Sequence, residues 1–463
     1  MQSAHYILWR MIINFLEGSE ILLVSKKEKE VLRRLATELA EIGELPEQKH
    51  KADMWRRLNG LEKVKPMVWM NEIPWHELGP EVNTRETTHE LCQKQEQKLR
   101  QLLYQWRHMR CDMVIEPQII CPLVIHDTGF GVLPHLESAE GYAGAGSPLV
   151  VAGASRFEPV IKDEEDIEKI KMPVVEVDWE ATEQNYELLL DIFGDILPVE
   201  KKGLHDFELL PLERKTDHGW EQYGVWFSFW FAPWDDLVQW LGVEQALISL
   251  STRPAFIHKL MERLVDAWLF RLDQYEKLNL LSLNNGPYRV GSGGYGFTDE
   301  LPQSDFDGTH VRSVDIWGSC ATQIFAAVSP QMHEEFALQY EMRWLERFGL
   351  TYYGCCEPLH KKIQILRKIP NLRKISISPW ADKEEAAQNI GNDYVISLKP
   401  SPAIFAADVW DPEEARKQLL TDLEKTRGCV VEVIMKDIST CRNHPQRLWE
   451  WAKIAQEVTE EWA

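Results

Sequence analysis

The sequence has no excess of positive charge and no run rich in lysine or arginine. Its 51 Lys and Arg residues stand against 73 Asp and Glu residues, which gives a formal net charge of −22 over 463 residues. Binding to nucleic-acid phosphates or to an anionic membrane surface requires a concentrated basic surface, which this composition does not supply. We therefore expect neither nucleic acid nor membrane as a partner.

A long uninterrupted apolar run is also missing. The most apolar stretch near the start, residues 5–24, contains Arg10, Glu17 and Glu20. These charges make it too interrupted for a membrane span, and it lacks the small-residue cleavage site of a signal peptide. We interpret it either as an extension that packs on another part of the protein or as an artefact of the choice of start codon.

The cysteines do not have the spacing of a small disulfide-rich domain. The eight of them are scattered at positions 92, 111, 121, 320, 355, 356, 429 and 441. Such scatter in a large chain predicts a reducing compartment, the cytoplasm. Cys355 and Cys356 are adjacent and cannot easily bridge each other without strain, so they are ligands, nucleophiles or packing residues.

Strand and helix patterns alternate regularly after residue 250. Predicted strands lie at residues 280–283, 351–353, 374–378, 394–398 and 430–435, with predicted helices between them. This alternation is typical of parallel βα units, and the 44% hydrophobic content is ample for a large core. The pattern predicts an α/β fold, either a parallel barrel or a doubly wound sheet. Near the N-terminus, far before this alternating region, a capping box at Ser25 and Glu28 predicts an amphipathic helix.

Polar and thiol groups follow these predicted strands. In a parallel barrel the carboxyl ends of all strands converge on one face, and in a doubly wound sheet they converge near a switch point. The residues at these ends are Asn284, Asn285, Tyr288, Cys355, Cys356, Glu357, Trp380, Lys399, Asp437 and Cys441. The sequence therefore predicts a functional site at this edge of the sheet.

The cysteines at the strand ends suit tetrahedral zinc. Soft thiolates bind zinc well, and three protein ligands leave a fourth position open for substrate. The alternative is that Cys355, Cys356 and Cys441 are small buried packing residues. Glu357 is a candidate ligand or acid/base, since an inward carboxylate must be paired or do chemistry. His360, which opens a predicted helix, is an additional candidate ligand.

Residues 220–234 contain eight aromatic side chains in fifteen positions. Such density is more typical of an aromatic core than of a ligand pocket. The functional alternative is a wall for a flat, apolar substrate. The candidate substrate-binding residues are Trp226, Trp230, Asn284, Tyr288, Tyr353, Trp380 and Lys399, and the candidate catalytic residues are Glu357 and Asp437.

Several motifs resemble the uroporphyrinogen decarboxylase superfamily, which includes zinc-dependent methyltransferases that serve corrinoid proteins. They are Trp226-Phe-Ser-Phe, Asp315-Ile-Trp, Ser329-Pro-Gln-Met-His-Glu-Glu-Phe, Tyr353-Gly-Cys-Cys-Glu and Asp437-Ile-Ser-Thr-Cys. The resemblance runs from about Lys65 to the end. It implies a single TIM (β/α)8 barrel over residues 65–463, with residues 1–64 as an N-terminal helical extension and the site at the carboxyl face of the barrel.

The resemblance also implies a metal site. In the methyltransferases, a His-x-Cys motif after one late strand and a Cys after the last strand bind zinc. Here Cys356 and Cys441 match the two cysteines, but Gly354 stands at the position of the His, so Cys355, Glu357 or His360 substitute for it by hypothesis. True decarboxylases carry an Arg-rich N-terminal motif, whereas residues 66–75 contain no Arg. The resemblance therefore favours the methyltransferase branch.

The implied function is transfer of a methyl group between a small methylated substrate and the corrinoid of a separate protein. Zinc would act as a Lewis acid or hold an acceptor thiolate, and the aromatic stretch favours an aryl methyl ether. The chain has no Asp-x-His-x-x-Gly motif, so the corrinoid must come with the partner. Two alternatives are a metal-independent decarboxylase of a small carboxylated substrate and a non-catalytic partner of a corrinoid protein. The oligomeric state is open, with a homodimer as one option.

Overall fold

The computed structural model describes residues 24–138, 155–206, 209–217, 219–227 and 230–462. No helix in these ranges is long and apolar enough to cross a membrane. The helices are α1 (Lys26–Gly43), α2 (Pro46–Asn59), α3 (Pro80–Asn83), α4 (Glu90–His108), α5 (Trp179–Phe193), α6 (Pro233–Leu241), α7 (Val243–Thr252), α8 (Pro254–Lys277), α9 (Pro330–His333), α10 (Gln339–Leu345), α11 (Ile363–Leu366), α12 (Lys383–Ile390), α13 (Ala403–Ala406), α14 (Pro412–Lys425) and α15 (Gln446–Glu461). A π turn at Glu334–Leu338 joins α9 to α10.

The strands fall into one large sheet and four pairs. They are β1 (Met67–Met70), β2 (Ile119–Pro122), β3 (Ile125–Asp127), β4 (His135–Ser138), β5 (Ser155–Glu158), β6 (Val175–Val177), β7 (Val199–Lys202), β8 (Leu209–Thr216), β9 (Gly219–Phe227), β10 (Trp317–Cys320), β11 (Leu350–Tyr353), β12 (Leu372–Ile377), β13 (Val395–Leu398) and β14 (Val431–Met435). The pairs are β2–β7, β3–β6, β4–β5 and β8–β9. The last is a long antiparallel hairpin.

The large sheet has six strands in the order β1-β14-β13-β12-β11-β10, and every neighbouring pair is parallel. Its strands are almost wholly buried, as expected when helices cover a parallel sheet. Because the strands are parallel, the loops after all six leave from the same edge. The α/β prediction is therefore confirmed. The described strands pair as an open series of six, so a closed barrel of eight strands stays a prediction.

Short backbone contacts continue the sheet beyond both of its edge strands. On the β1 side, the amide of Asp112 donates to the carbonyl of Val68 at 2.9 Å. On the β10 side, Cys320 forms a parallel bridge with Phe231. A further parallel bridge joins Leu204 to Leu281. These segments run beside the sheet without forming full strands.

The predicted elements match the structure best where a cap or a long apolar stripe defines them. The Ser25 hydroxyl accepts from the Glu28 amide at 3.2 Å, and the Glu28 carboxylate accepts from the Ser25 amide at 2.8 Å, so the capping box opens α1 as predicted. The helix predicted between the strands at residues 351–353 and 374–378 is reduced to α11. There Lys362 turns inward, and its ammonium donates to the carbonyl of Phe325.

The strand predicted at residues 280–283 is wrong as a full strand. Only Leu281 forms a bridge there. The Asn284 side chain instead pairs with both backbone groups of Trp317, through Oδ1 to the amide at 2.9 Å and Nδ2 to the carbonyl at 3.1 Å. A side chain thus takes the place of the backbone ladder at this point.

The helices before β1 are built into the core. Leu32 and Leu39 of α1 pack in one buried cluster with Leu99 of α4. The indole of Trp55 in α2 is fully buried and donates to the carbonyl of Asp112 at 2.8 Å. Asn59, at the end of α2, donates to the backbone of the loop that contains residues 295–297. The predicted division at residues 64 and 65 therefore crosses a well-packed interface, and it stays a prediction.

Candidate active site

Two thiols, an ammonium and a carboxylate meet where β11 and β14 end. Cys355 and Cys356 follow β11, while Lys436 and Asp437 follow β14. The two sulfur atoms are 3.5 Å apart, and Lys436 Nζ lies 3.4 Å from Cys355 Sγ and 4.0 Å from Cys356 Sγ. Asp437 Oδ2 lies 3.4 Å from Cys356 Sγ and 2.7 Å from Lys436 Nζ. We call these four residues the thiol cluster.

The electrostatics of the thiol cluster favour a thiolate at Cys355. The hydrogen bond from the Cys356 thiol lowers the pKa of Cys355, and so does the positive charge of Lys436, although burial acts in the opposite direction. Burial also opposes the charge on Lys436, but the negative charges of Cys355 and Glu72 raise its pKa overall. These contacts therefore favour a thiolate at Cys355 beside an ammonium at Lys436. Cys356 is half-buried and Asp437 is exposed, so the cluster opens to solvent.

The turn that presents the thiols depends on Gly354. Its φ of +97° lies in the region that favours glycine, and a Cβ there would lie 2.4 Å from Leu359 Cδ1. After this turn, the Ser376 hydroxyl donates to the Cys355 carbonyl at 2.7 Å. A histidine at position 354 would require both a strained backbone and a shift of neighbouring atoms. The local structure at position 354 therefore favours glycine over the histidine of the His-x-Cys motif.

Glu357 lies directly beneath this turn. Its side chain is fully buried, and its two oxygens accept from the amides of Cys355 at 2.9 Å and Thr322 at 3.2 Å. Burial raises the pKa of Glu357, while these amides lower it. The contacts give the carboxylate a role in shaping the loop that carries the thiols. Its predicted role as a catalytic residue or ligand stays a prediction.

The structure does not bring the other two predicted ligands into the thiol cluster. Cys441 is fully buried, its Sγ lies 3.2 Å from Glu77 Oε2, and burial raises its pKa to about 11. The same carboxylate accepts from the Cys441 amide at 2.8 Å. The imidazole of His360 faces α12, with Nε2 3.8 Å from Glu385 Oε2.

The positions of the predicted ligands can be compared with the arrangement that a zinc ion requires. Among the described residues, no group of three or more His, Cys, Asp or Glu side chains is arranged to hold a metal ion. The nearest approach to such a group is the thiol cluster, and there the ammonium of Lys436 lies among the sulfur and carboxylate atoms that would be ligands. A fixed positive charge opposes a second cation at the same point. The residues as placed do not fit zinc, which stays a prediction.

Two predicted substrate-binding residues are committed to interior hydrogen bonds. The Tyr353 hydroxyl lies between His333 Nε2 and Glu341 Oε2, at 2.6 Å from each. Asn284 holds the backbone of Trp317, as described above. Neither side chain opens onto the thiol cluster through these contacts, and their predicted roles stay untested.

The predicted aromatic residues are divided between the surface and the interior. Trp380 is 75% exposed. Trp230 Nε1 donates to Asp235 Oδ2 at 3.1 Å, beside the start of α6. The backbone of Trp226 belongs to β9, but its side chain lies outside the described residues. Phe231 and Trp234 are fully buried, which agrees with the aromatic-core alternative for this part of the stretch.

Lys399 is a buried lysine near the thiol cluster. Its Nζ lies 3.0 Å from the Tyr352 hydroxyl, and the residue is 2% exposed. Burial lowers the pKa of Lys399 to about 7, although the negative charges of Glu432 and Cys355 act in the opposite direction. A lysine with this pKa can accept or release a proton at neutral pH. This lysine is therefore a candidate for acid/base chemistry.

Three charged residues of the site were not predicted. Lys436 was overlooked beside Asp437, although it follows the same strand. Glu72 follows β1, and it accepts from the Asp437 amide at 3.0 Å and from Arg289 Nη2 at 2.6 Å. Glu72 Oε2 also lies 3.5 Å from Lys436 Nζ. Applying the strand-end rule to the first strand would have identified Glu72, and Arg289 directly follows Tyr288, which the same rule selected.

Comparison with known proteins gives little further information. No protein-family model matches the chain, and no curated protein matches it. Among solved structures, the chain is similar to a methyltransferase from Methanosarcina mazei, with 10% sequence identity and a TM-score of 0.45 over 89% of this chain and 98% of that chain. A likeness at this level does not establish a shared fold or activity, so the site is interpreted from its own geometry.

Proposed function

We propose that the protein transfers a methyl group between a small substrate and the Cys355 thiolate. The observation that carries this proposal is the Lys436 ammonium, 3.4 Å from Cys355 Sγ, in a cluster where Cys355 is buried and its neighbours Cys356 and Asp437 reach solvent. A thiolate is a strong nucleophile, and a neighbouring cation maintains it at neutral pH. The motifs that resemble the methyltransferases support methyl as the group transferred.

The proposed step is a displacement at carbon. The Cys355 sulfur forms a bond to the methyl carbon, the bond from that carbon to the substrate heteroatom breaks, and the electron pair leaves with the heteroatom. Asp437, when it carries a proton, donates that proton to the leaving heteroatom, and solvent at the open side of the cluster replaces it. Partial burial and the Glu72 carboxylate raise the pKa of Asp437, although Lys436 acts in the opposite direction. No part of this step uses a metal ion.

We further propose that the methyl group is exchanged with the corrinoid of a separate protein. This part rests on the sequence resemblance, and the corrinoid would supply a cobalt nucleophile at the mouth of the site. An aryl methyl ether remains the proposed substrate class. For the fold, we propose that residues 65–463 form a TIM barrel, with the segments at Asp112, Leu204 and Leu281 completing the ring beside the six paired strands.

Mass spectrometry of the protein itself tests the proposed transfer. The full chain would be incubated with a panel of methoxyarenes and other methylated donors, and then digested. We expect one added methyl group on the peptide that contains Cys355, and none in Cys355→Ser or Lys436→Met. A Cys429→Ser variant is the control, because Cys429 lies outside the cluster. Methyl addition that persists in Cys355→Ser would overturn the assignment of the nucleophile.

Two further measurements test the acceptor and the metal. With free cob(I)alamin as the probe, a catalyst should accelerate loss of its absorbance in the presence of the methyl donor, whereas a non-catalytic partner should not. Elemental analysis of protein purified without added zinc tests the metal. If the wild type contains one equivalent of zinc and Cys356→Ala contains none, zinc binds at the thiol cluster and the Lys436 ammonium moves away in solution. That result would support the zinc-dependent mechanism.

A metal-independent decarboxylase is the second candidate, and Lys399 favours it. Its pKa of about 7 allows it to deliver a proton to the carbon that loses carbon dioxide. Nearby Arg289 and Lys436 are cations that can attract a carboxylate substrate. Release of carbon dioxide from small carboxylic acids, abolished in Lys399→Met and retained in Cys355→Ser, would favour this candidate over methyl transfer.

A further inference from the structure

A cavity of about 180 Å³ lies between α4 and the segment that leads into β2, apart from the thiol cluster. Its apolar lining includes Leu99, Leu102 and Met113, and Trp69 and Tyr295 add aromatic faces. These two aromatic rings pack against each other, with their centroids 4.5 Å apart. An apolar protein cavity of roughly 150 Å³ is large enough to bind benzene. This cavity therefore has room for one six-membered ring and a short substituent.

A hydrogen-bonding centre lies at the hydroxyl of Tyr288, a buried residue in the same lining. Gln118 Nε2 donates to this oxygen at 3.0 Å, and Lys202 Nζ donates to it at 2.5 Å. A tyrosine hydroxyl can accept hydrogen bonds and also donate one. Because both of these neighbours are donors, the oxygen accepts twice, and its own proton is left for a third partner.

The third partner of the Tyr288 hydroxyl is a distant one. The hydroxyl lies 3.5 Å from Glu116 Oε2, whereas an O–H···O hydrogen bond is usually about 2.7–2.8 Å long. The same carboxylate oxygen already accepts from Gln118 Nε2 at 2.7 Å. Burial raises the pKa of Tyr288 most, and the negative charge of Glu116 raises it further, so the hydroxyl keeps its proton at neutral pH. The centre therefore offers a hydrogen-bond donor to an occupant of the cavity.

The charges around this centre are balanced. Among the described residues that line or adjoin it, the negative side chains are Glu116, Glu200 and Asp206, and the positive ones are Lys98, Lys202 and Arg289. Glu200 approaches Lys202 at 3.5 Å, and Asp206 accepts from the Arg289 amide at 3.0 Å. An ionised occupant would lose hydration without meeting an excess of opposite charge, which is costly. The balance therefore favours a neutral occupant.

We propose that this cavity binds a neutral molecule with a single apolar ring and a hydrogen-bond acceptor on a short substituent, such as an aryl ketone. The ring lies among Leu99, Leu102 and Met113, and the acceptor receives a hydrogen bond from the Tyr288 hydroxyl. The lining shares no residue with the thiol cluster, and binding requires no reaction there. The proposal therefore goes beyond methyl transfer and assigns Tyr288, a predicted substrate-binding residue, to a second site.

Calorimetry on the full chain tests this proposal with four probes of nearly equal shape. Acetophenone is neutral and carries an acceptor oxygen, which α-methylstyrene replaces with a CH2 group. Benzoate is negatively charged, and benzamidine is positively charged. We expect acetophenone to bind at least about tenfold more tightly than either charged probe. None of the four carries a methyl group on a heteroatom, and a Cys355→Ser variant should give the same affinities, so the result is independent of the methyl-transfer proposal.

Variants then test the hydrogen bond and locate the site. Tyr288→Phe should weaken acetophenone binding about fivefold or more and change α-methylstyrene binding by less than about twofold, because only the ketone accepts from the hydroxyl. Tyr186→Phe is the matched control. Lys201 Nζ lies 4.6 Å from the centre of its ring, as Lys202 Nζ lies 4.8 Å from that of Tyr288, but Tyr186 is outside the lining. Leu102→Trp should fill the cavity and abolish binding of both neutral probes, and its melting temperature shows whether the variant is folded.

Several results would overturn the proposal. They are a charged probe that binds as tightly as acetophenone, equal effects of Tyr288→Phe on the two neutral probes, neutral-probe binding that persists in folded Leu102→Trp, and absence of heat with all four probes at two temperatures on folded protein. If either variant does not fold, the order of the four probes and the other variant still decide the question.

Discussion

Replacement of Lys436 by methionine should raise the pKa of the Cys355 thiol, because it removes the nearest positive charge. At an effective dielectric constant of ~20, unit charges separated by the observed 3.4 Å interact with about 5 kcal/mol. At ~1.36 kcal/mol per pKa unit, this sets a limit of roughly 3.5 units. Solvent at the open side of the cluster reduces the effect. We therefore expect a rise of about 2 units or more.

The thiolate absorbance in the ultraviolet measures this change without a substrate. A pH titration of the wild-type protein, minus that of Cys355→Ser, isolates the contribution of this thiol. Because Cys355 and Cys356 share a hydrogen bond, the titration reports the pair, and a Cys356→Ser background simplifies it. Lys436→Arg is the control, since it keeps the positive charge and should preserve most of the low pKa.

The reasoning fails if Lys436→Met is folded and titrates within about half a unit of the wild type. That result would mean that the Cys356 hydrogen bond alone stabilises the thiolate. Circular dichroism and the melting temperature establish that the variant is folded. A large loss of structure in both Lys436→Met and Lys436→Arg would instead assign this lysine a packing role.

Three stability measurements by urea unfolding test other parts of the interior. Glu432→Gln, which removes the carboxylate partner of the fully buried Lys374, should cost about 3–5 kcal/mol, whereas Glu90→Gln at an exposed ion pair should change stability by less than ~0.5 kcal/mol. Gly354→Ala should cost roughly 2 kcal/mol more than Gly391→Ala, because both have positive φ but only the first meets neighbouring atoms. The pKa of Lys399 is about 7 in the folded state and about 10.5 in the unfolded state. Between these two pH values the unfolded state holds the proton and the folded state does not, so the stability of the wild type rises with pH. The stability of Lys399→Met relative to wild type should therefore fall by about 2–3 kcal/mol from about pH 7 to about pH 9.5.

For each of these predictions, a specific result would contradict the reasoning. Equal costs for Glu432→Gln and Glu90→Gln would mean that water reaches the interior pair. Equal costs for the two glycine variants would show that the loop after β11 relaxes around a methyl group. A pH-independent difference for Lys399→Met would place the pKa of this lysine near its ordinary value.

The sequence predicted the late βα units well because their signals are local. The capping box at Ser25 and the apolar strands near residues 352 and 433 depend on neighbours within a few positions. Whether residues 280–283 form a strand depends instead on the segments that lie next to them in space, which the local sequence does not reveal. There the Asn284 side chain replaced the ladder, and no local pattern distinguishes such an asparagine from one in a turn.

The candidate site was predicted in part for the same reason. Cys355, Cys356 and Asp437 do meet at one edge of the sheet, as the strand-end rule requires. Lys436 precedes Asp437 in the chain, and alternation along a strand places successive side chains on opposite sides. The φ of +57° at Asp437 breaks that alternation, so both side chains reach the thiols. A backbone reversal of this kind is not visible in composition or spacing.

The packing of α2 limits where the polypeptide can be cut. Trp55 fills space directly above Gly294, where even a methyl group would lie 2.6 Å from the indole. The Asn59 side chain donates hydrogen bonds to two carbonyls of the same loop, those of Tyr295 and Phe297. A product that starts at residue 65 would leave an indole-sized hole beside this loop and would remove the Asn59 donor from the Phe297 carbonyl, whereas the Tyr295 carbonyl would still accept from Lys374. Expression boundaries for this protein should therefore begin ahead of Lys26, whatever the sequence division at residue 65 suggests.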